Sequence, residues 1–207
     1  MIQGYDVSLI FLTDGRNALK EIGISEPSPS QLKEIRKEEA IRAAKILGVN
    51  QKDLFFLEIE DGMLTRHKVK VLKIISRILA NCPKEVYIPQ EKEYHIDHRE
   101  TNRLVRTAIK KLCFSPFEYH YAIAWRYPLN LLVRFRPKNL RSLILAKLLN
   151  CNIVRSDISA SLPLKKAAIE SYKSQIDLMS DQQKVPLLRQ TFLEYFLKDK
   201  EEFFVPK

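Results

Sequence analysis

Apolar and polar residues alternate along this chain in two rhythms. Val7–Thr13 (VSLIFLT) is a short continuous apolar run ending in Asp14-Gly15, a turn signal, as in a strand buried on both faces. After the loop Gly23–Ser30, residues Leu32, Ile35, Ala40, Ala43, Ala44 and Leu47 recur at helical spacing. Ser30 is the expected cap and Gly48 the expected stop of a helix over Gln31–Leu47. Leu54–Ile59 repeats the strand pattern into Asp61-Gly62, and Val69–Leu79 returns to helical spacing. Val86–Ile88 is a third short strand, and His98–Cys113 a third helix with Leu104, Val105, Ala108, Ile109 and Leu112 on its buried face. Further on, Tyr119–Trp125 reads as a strand, Leu140–Leu149 and Leu164–Leu178 as helices, and Ser180–Lys207 as a charged, aromatic tail. Strand and helix in regular alternation predict an α/β fold, a Rossmann-like, mostly parallel sheet covered by helices.

In such folds ligands bind outside the carboxyl ends of the strands. Asp14, Asp61 and the stretch Glu93–Leu104 (EYHIDHRETNRL) follow strand ends, so one crevice could collect them. The core of that stretch, His95-Ile96-Asp97-His98, holds two of the chain's four histidines beside a carboxylate. Imidazole is the commonest biological metal ligand, and a nearby carboxylate fixes its tautomer. A catalytic zinc takes three protein ligands, so H-x-D-H is chemically poised for a metal without completing a site. The plain alternative is a polar loop ahead of a helix. Five glycines form no dinucleotide or phosphate-loop fingerprint.

Composition narrows the class further. With 207 residues, 45% of them apolar and 29% charged, the chain suits one soluble globular domain, 1–207. No apolar run approaches the ~18 residues of a membrane span. The N-terminus lacks the pattern of a secretory signal, and Cys82, Cys113 and Cys151 form no C-x-x-C pair, so a cytoplasmic setting is expected. The net charge of +10 is concentrated: between Glu118 and Asp157 there is no acidic residue, while Arg126, Arg134, Arg136, Lys138, Arg141, Lys147 and Arg155 fall there. Such a surface attracts polyanions in general, from nucleic acid to a phosphorylated substrate. No nucleic-acid-binding signature accompanies it, and a specific nucleic-acid partner is not expected.

Taken in order, the local sequences resemble the PIG-L/LmbE-like family of zinc-dependent N-deacetylases. The matching stretches are Asp6-Val7 into Thr13-Asp14-Gly15; Arg36-Lys37-Glu38-Glu39 into Ala43-Ala44 and Leu47-Gly48-Val49; Asp61-Gly62 with Leu64; His95-Ile96-Asp97-His98; and Asp157-Ile158-Ser159, Lys165, Lys166, Tyr172 and Ser174-Gln175. They cover residues 4–178, leaving 179–207 as a variable tail. The resemblance implies hydrolysis of the acetamide of an N-acetylglucosamine-type sugar or glycoconjugate, possibly phosphorylated. It makes His98 the zinc ligand, His95 the stabiliser of the oxyanion, Asp97 the residue that orients the pair, and Arg36 and Asp61 substrate contacts. Arg36 could equally pair with Glu38 or Glu39, and Asp61 could simply hold a turn. The family's leading A-H-P-D-D-E motif, source of a histidine and an aspartate ligand and of the general base, is not found. The fold is therefore expected to be N-terminally truncated relative to the family and the zinc site incomplete. A non-catalytic sugar-binding or interaction protein on the same fold is the alternative.

Overall fold

The structure, a computed structural model, describes residues 4–123 and 151–207. The expected helix Leu140–Leu149 and the cations from Arg126 to Lys147 lie outside the described residues. The chain divides into two units, Met1–Met63 with Ile158–Asp199 and Leu64–Asp157 with Lys200–Lys207.

In the first unit, β1 (Leu9–Thr13) and β2 (Leu54–Ile59) pair in parallel, Leu9 opposite Leu54 and Phe11 opposite Phe56, whose rings stack at 4.8 Å. Helix α1 (Pro29–Ile46) joins them, as a parallel pair requires a crossover. Its cap is Ser28, not Ser30. Pro29 takes the first helical position, where its missing N–H costs nothing, and the Gln31 side chain reaches back to accept from the Ser28 N–H at 2.8 Å. Three alanines, Ala40, Ala43 and Ala44, are buried on α1 and let α4 (Leu162–Glu170) and the single turn α5 (Lys173–Ile176) pack against it. The expected helix Leu164–Leu178 is thus two pieces, broken at Ser171 and Tyr172. Leu19, Ile24 and Leu32 form a core with Met179 and Leu187, and α6 (Gln190–Phe196) follows.

A bulge shapes β2. Phe11 to Thr13 spans two steps while the partners Phe56 to Ile59 span three, and Glu58 takes up the extra residue with φ of 53°. Its carboxylate meets Lys33 and Lys37 of α1, each at 2.6 Å, and these two hydrogen bonds hold its pKa down at about 2. A carboxyl depressed in the folded state contributes stability above its unfolded value near 4.5 and loses it as pH falls through about 2. The groups are partly exposed, so the contribution is below about 1 kcal/mol. Urea unfolding should therefore show Glu58→Gln slightly less stable than the parent at neutral pH, with the gap closing between pH 4.5 and about 2. A gap that persists at the acid end would contradict the assignment.

The second unit carries a four-stranded sheet of order β3 (Glu85–Pro89), β4 (Phe117–Tyr121), β6 (Lys200–Pro206), β5 (Cys151–Asp157). β3 and β4 are parallel, while β6 runs antiparallel to both its neighbours. The charged, aromatic tail thus supplies α6 and a full strand. The mostly parallel expectation holds for β1 with β2 and β3 with β4, and β6 makes the second sheet mixed. α2 (Lys68–Leu79) packs on α3 (Ile96–Leu112), burying Val71, Ile75 and Leu79 on one and Leu104, Val105, Ala108 and Ile109 on the other. α3 in turn packs on β3. Among the described residues, no helix is long and apolar enough to cross a membrane.

Candidate functional site

The H-x-D-H residues occupy the loop after β3 and the first turn of α3, as the strand-end rule predicts. His95 is the N-cap: its backbone is extended, with φ −75° and ψ 134°, and its Nδ1 accepts the Asp97 N–H at 3.2 Å. An imidazole seldom plays the part usually taken by Ser, Thr, Asp or Asn. The consequence is chemical. With Nδ1 an acceptor, the neutral ring carries its proton on Nε2, and that N–H is left to donate elsewhere. Asp97 is buried in the first turn, where a carboxylate suits the helix dipole, and its Oδ2 lies 3.8 Å from His95 Nδ1.

His98 is the third residue of α3, its ring centroid 5.0 Å from that of His95. Its Nδ1 is buried without a hydrogen-bond partner and faces Glu93 Oε2 at 3.6 Å. Glu93 is fully buried, and its Oε1 accepts the Ile123 N–H at 2.6 Å. Arg99 clamps the same loop, donating to the carbonyls of Glu93 and Tyr94 at 2.8 and 2.6 Å. Glu93 thus backs the histidine expected to be the ligand, in the way carboxylates back metal-bound imidazoles. It stands at the start of the EYHIDH stretch, and a glutamate five residues before His98 is the signal that could have found it.

A second cluster is buried beneath α3. His120 Nδ1 lies 3.4 Å from Asn102 Nδ2, and its Nε2 lies 3.2 Å from Glu118 Oε2. Asn102 also donates to the Pro89 carbonyl at 2.7 Å. That bond fixes its amide as the donor, so His120 accepts at Nδ1 and donates from Nε2, which with Arg106 holds the Glu118 carboxyl below its ordinary range. The network ties α3 to β4.

Asp14, Arg36 and Asp61 belong to the first unit. Asp14 is taken up by Arg16, which reaches both carboxylate oxygens. Both oxygens of Asp61 hold the loop after β1, accepting Gly15 N–H at 3.0 Å and Asn17 N–H at 3.1 Å. Arg36 makes no ion pair with Glu38 or Glu39: Glu38 lies 3.5 Å from Arg42, and Glu39 binds Ser174. Its guanidinium is half-buried with Nε unpartnered; burial pushes its pKa down while Asp61, Glu39 and Asp14 pull it up.

Gly15 covers Arg36 closely. Its φ is 72°, and a Cβ there would lie 2.1 Å from Arg36 Nη1 and 2.7 Å from Cδ. Gly15→Ala should cost about 1–3 kcal/mol in urea unfolding, from left-handed strain and displaced guanidinium together. Asn tolerates the left-handed region but carries the same Cβ, so Gly15→Asn should fare no better; full recovery with Asn would show that Arg36 is not pressed by this position.

Among the described residues, no group of three or more His, Cys, Asp or Glu side chains could hold a metal ion. They supply one oriented imidazole, His98, with its buttress. That fits one ligand position and not a closed zinc site.

Several solved proteins share this α/β fold. The chain is similar to GalB, the 4-carboxy-2-hydroxymuconate hydratase from Pseudomonas putida KT2440, at 22% identity and a TM-score of 0.62, over 84% of this chain and 69% of that one. The N,N'-diacetylchitobiose deacetylase of Pyrococcus horikoshii matches at 22% identity and a TM-score of 0.61, over 95% and 66%. This chain therefore spans about two thirds of each of those proteins. The A40926 pseudoaglycone deacetylase Dbv21 matches at 13% identity and a TM-score of 0.64, over 99% and 86%. At these identities the likeness is one of fold. The sequence decides the family: residues 1–109 match the profile described as PIG-L: GlcNAc-PI de-N-acetylase, and the chain belongs to the PIG-L family.

Proposed function

We propose that the protein is a metal-dependent N-deacetylase that hydrolyses the acetamide of an N-acetylglucosamine-type sugar or glycoconjugate. The observation that carries this reading is His95 held as a helix cap, its Nδ1 occupied and its Nε2–H free to donate beside the His98 ring. Water adds to the amide carbonyl carbon, the C–N bond breaks, and acetate and the protonated amine leave. His95 Nε2–H donates to the oxygen that becomes negative as water adds, a preorganised donor of the oxyanion-hole kind. Asp97 fixes the His95 cap through its own N–H and lends negative charge beside it. His98 is the metal ligand in this reading, with Glu93 behind Nδ1; a zinc would supply Lewis-acid activation of water. Residues 1–3 and 124–150 contain no His, Cys, Asp or Glu, so this reading requires the other ligands to be supplied to the chain.

Arg36 is assigned to bind the substrate: a half-buried cation without an ion pair among the described residues suits a sugar hydroxyl or a phosphate. Asp61 serves it through the loop that bears Gly15. Cys82, Cys113 and Cys151 form no disulfide among the described residues, which suits a reducing, cytoplasmic setting. The direct test supplies the chain with the missing A-H-P-D-D-E motif, offers it N-acetylglucosamine and its glycosides and phosphates with zinc present, and measures acetate. Release that a chelator stops and zinc restores is expected; metal binding without hydrolysis of any acetylated sugar would overturn the reaction assignment.

A further inference from the structure

Helix α2 presents an unneutralised line of positive charge. Between Asp61 and Glu85 the chain contains no acidic residue. Arg66, in the turn that leads into α2, is followed by Lys70, Lys73 and Arg77, at intervals of four, three and four residues, which place all four along one face. All four are exposed, opposite the buried Val71, Ile75 and Leu79. None makes an ion pair among the described residues. On neighbouring α3, by contrast, Arg103 meets Glu100 and Arg106 meets Glu91 and Glu118. Like charges three and four residues apart destabilise a helix by roughly 0.2–0.5 kcal/mol per pair, so a merely solvated face gains nothing from this arrangement.

We propose that this stripe is a docking surface for an anionic lipid membrane. Lys68 adds a charge beside the stripe, and Val69, 77% exposed, sets an apolar side chain among the cations, as suits the boundary between headgroups and acyl chains. A flat sheet of anionic headgroups engages a straight row of flexible cations without further shape matching. The alternative polyanion, a nucleic acid strand, is read through aromatic stacking, and residues 62–84 contain no Phe, Tyr or Trp. The apolar side of α2 is committed to α3, so the contact is peripheral and electrostatic.

The test is co-sedimentation of the full chain with phosphatidylcholine vesicles, with and without phosphatidylserine, at about 0.1 M and about 1 M salt. Binding is expected with phosphatidylserine at the lower salt only. Lys70→Gln with Lys73→Gln should weaken it about 25-fold, fivefold per charge removed, whereas Lys110→Gln with Lys111→Gln on α3 should weaken it less than fivefold. These side chains are exposed, and an unchanged melting temperature confirms folding. No binding, or equal weakening by both double variants, overturns the proposal. So does a single-stranded oligonucleotide that binds more tightly than the vesicles and is lost on Lys70→Gln with Lys73→Gln.

Discussion

His98→Ala, in the chain supplied with the missing A-H-P-D-D-E motif, should lower kcat/KM for acetate release at least about a thousandfold, some 4 kcal/mol of transition-state stabilisation, while the melting temperature moves by only about 2 °C. The asymmetry follows from the surroundings of the ring. His98 is partly exposed on the first turn of α3 and its Nδ1 makes no hydrogen bond, so the helix loses little when the ring goes. The cap that starts α3 belongs to His95 and is untouched. A zinc titration alongside the assay separates the two ways of losing activity: the variant should also lose zinc, whereas His95→Ala should keep it and lose about 10²–10³ in rate as an oxyanion donor. Zinc retained in full by His98→Ala would remove that residue from the ligand set.

The second large effect is on stability. Glu39, on α1, is buried, and its two oxygens accept the Ser174 N–H and Oγ–H, each at 2.7 Å. These bonds join parts of the chain 135 residues apart. Glu39→Ala should destabilise the protein by about 3 kcal/mol, since it leaves a buried amide and a buried hydroxyl unsatisfied. Glu39→Gln restores one acceptor and turns a donor toward a hydroxyl that can rotate to receive it, so about half the loss should return. Urea unfolding measures both. Equal loss in the two variants would mean that charge, not the pair of acceptors, holds Ser174.

Local pattern made the strands and long helices of this fold legible. β1 and β2 are largely apolar runs that lead into Asp-Gly, the second interrupted by Glu58, and α2 and α3 carry their buried residues at helical spacing. Long-range pairing was not legible in the same way. Nothing near Lys200–Pro206 states that this strand will insert between β4 and β5 in the opposite sense; that depends on Phe203 and Phe204 finding partners in β4 and β5 far back in the chain. The Ser28 cap lost to Ser30 on reading because the deciding signal is the reach of Gln31, three residues on. The candidate site divides similarly. H-x-D-H announces itself through residue types that are rarely grouped. Glu93 looks like any loop glutamate until burial and the Ile123 N–H give it a role, and the closeness of Gly15 to Arg36 exists only once β1 and α1 are packed.

The most direct test is acetate release from a panel of N-acetylglucosamine conjugates by the chain joined to a segment carrying the missing A-H-P-D-D-E motif, in the presence of zinc, with His98→Ala and a chelator as controls. The account predicts acetate in stoichiometric step with the free amine, abolished by either control. A folded protein that binds these sugars yet releases no acetate, or whose release survives His98→Ala, would contradict it.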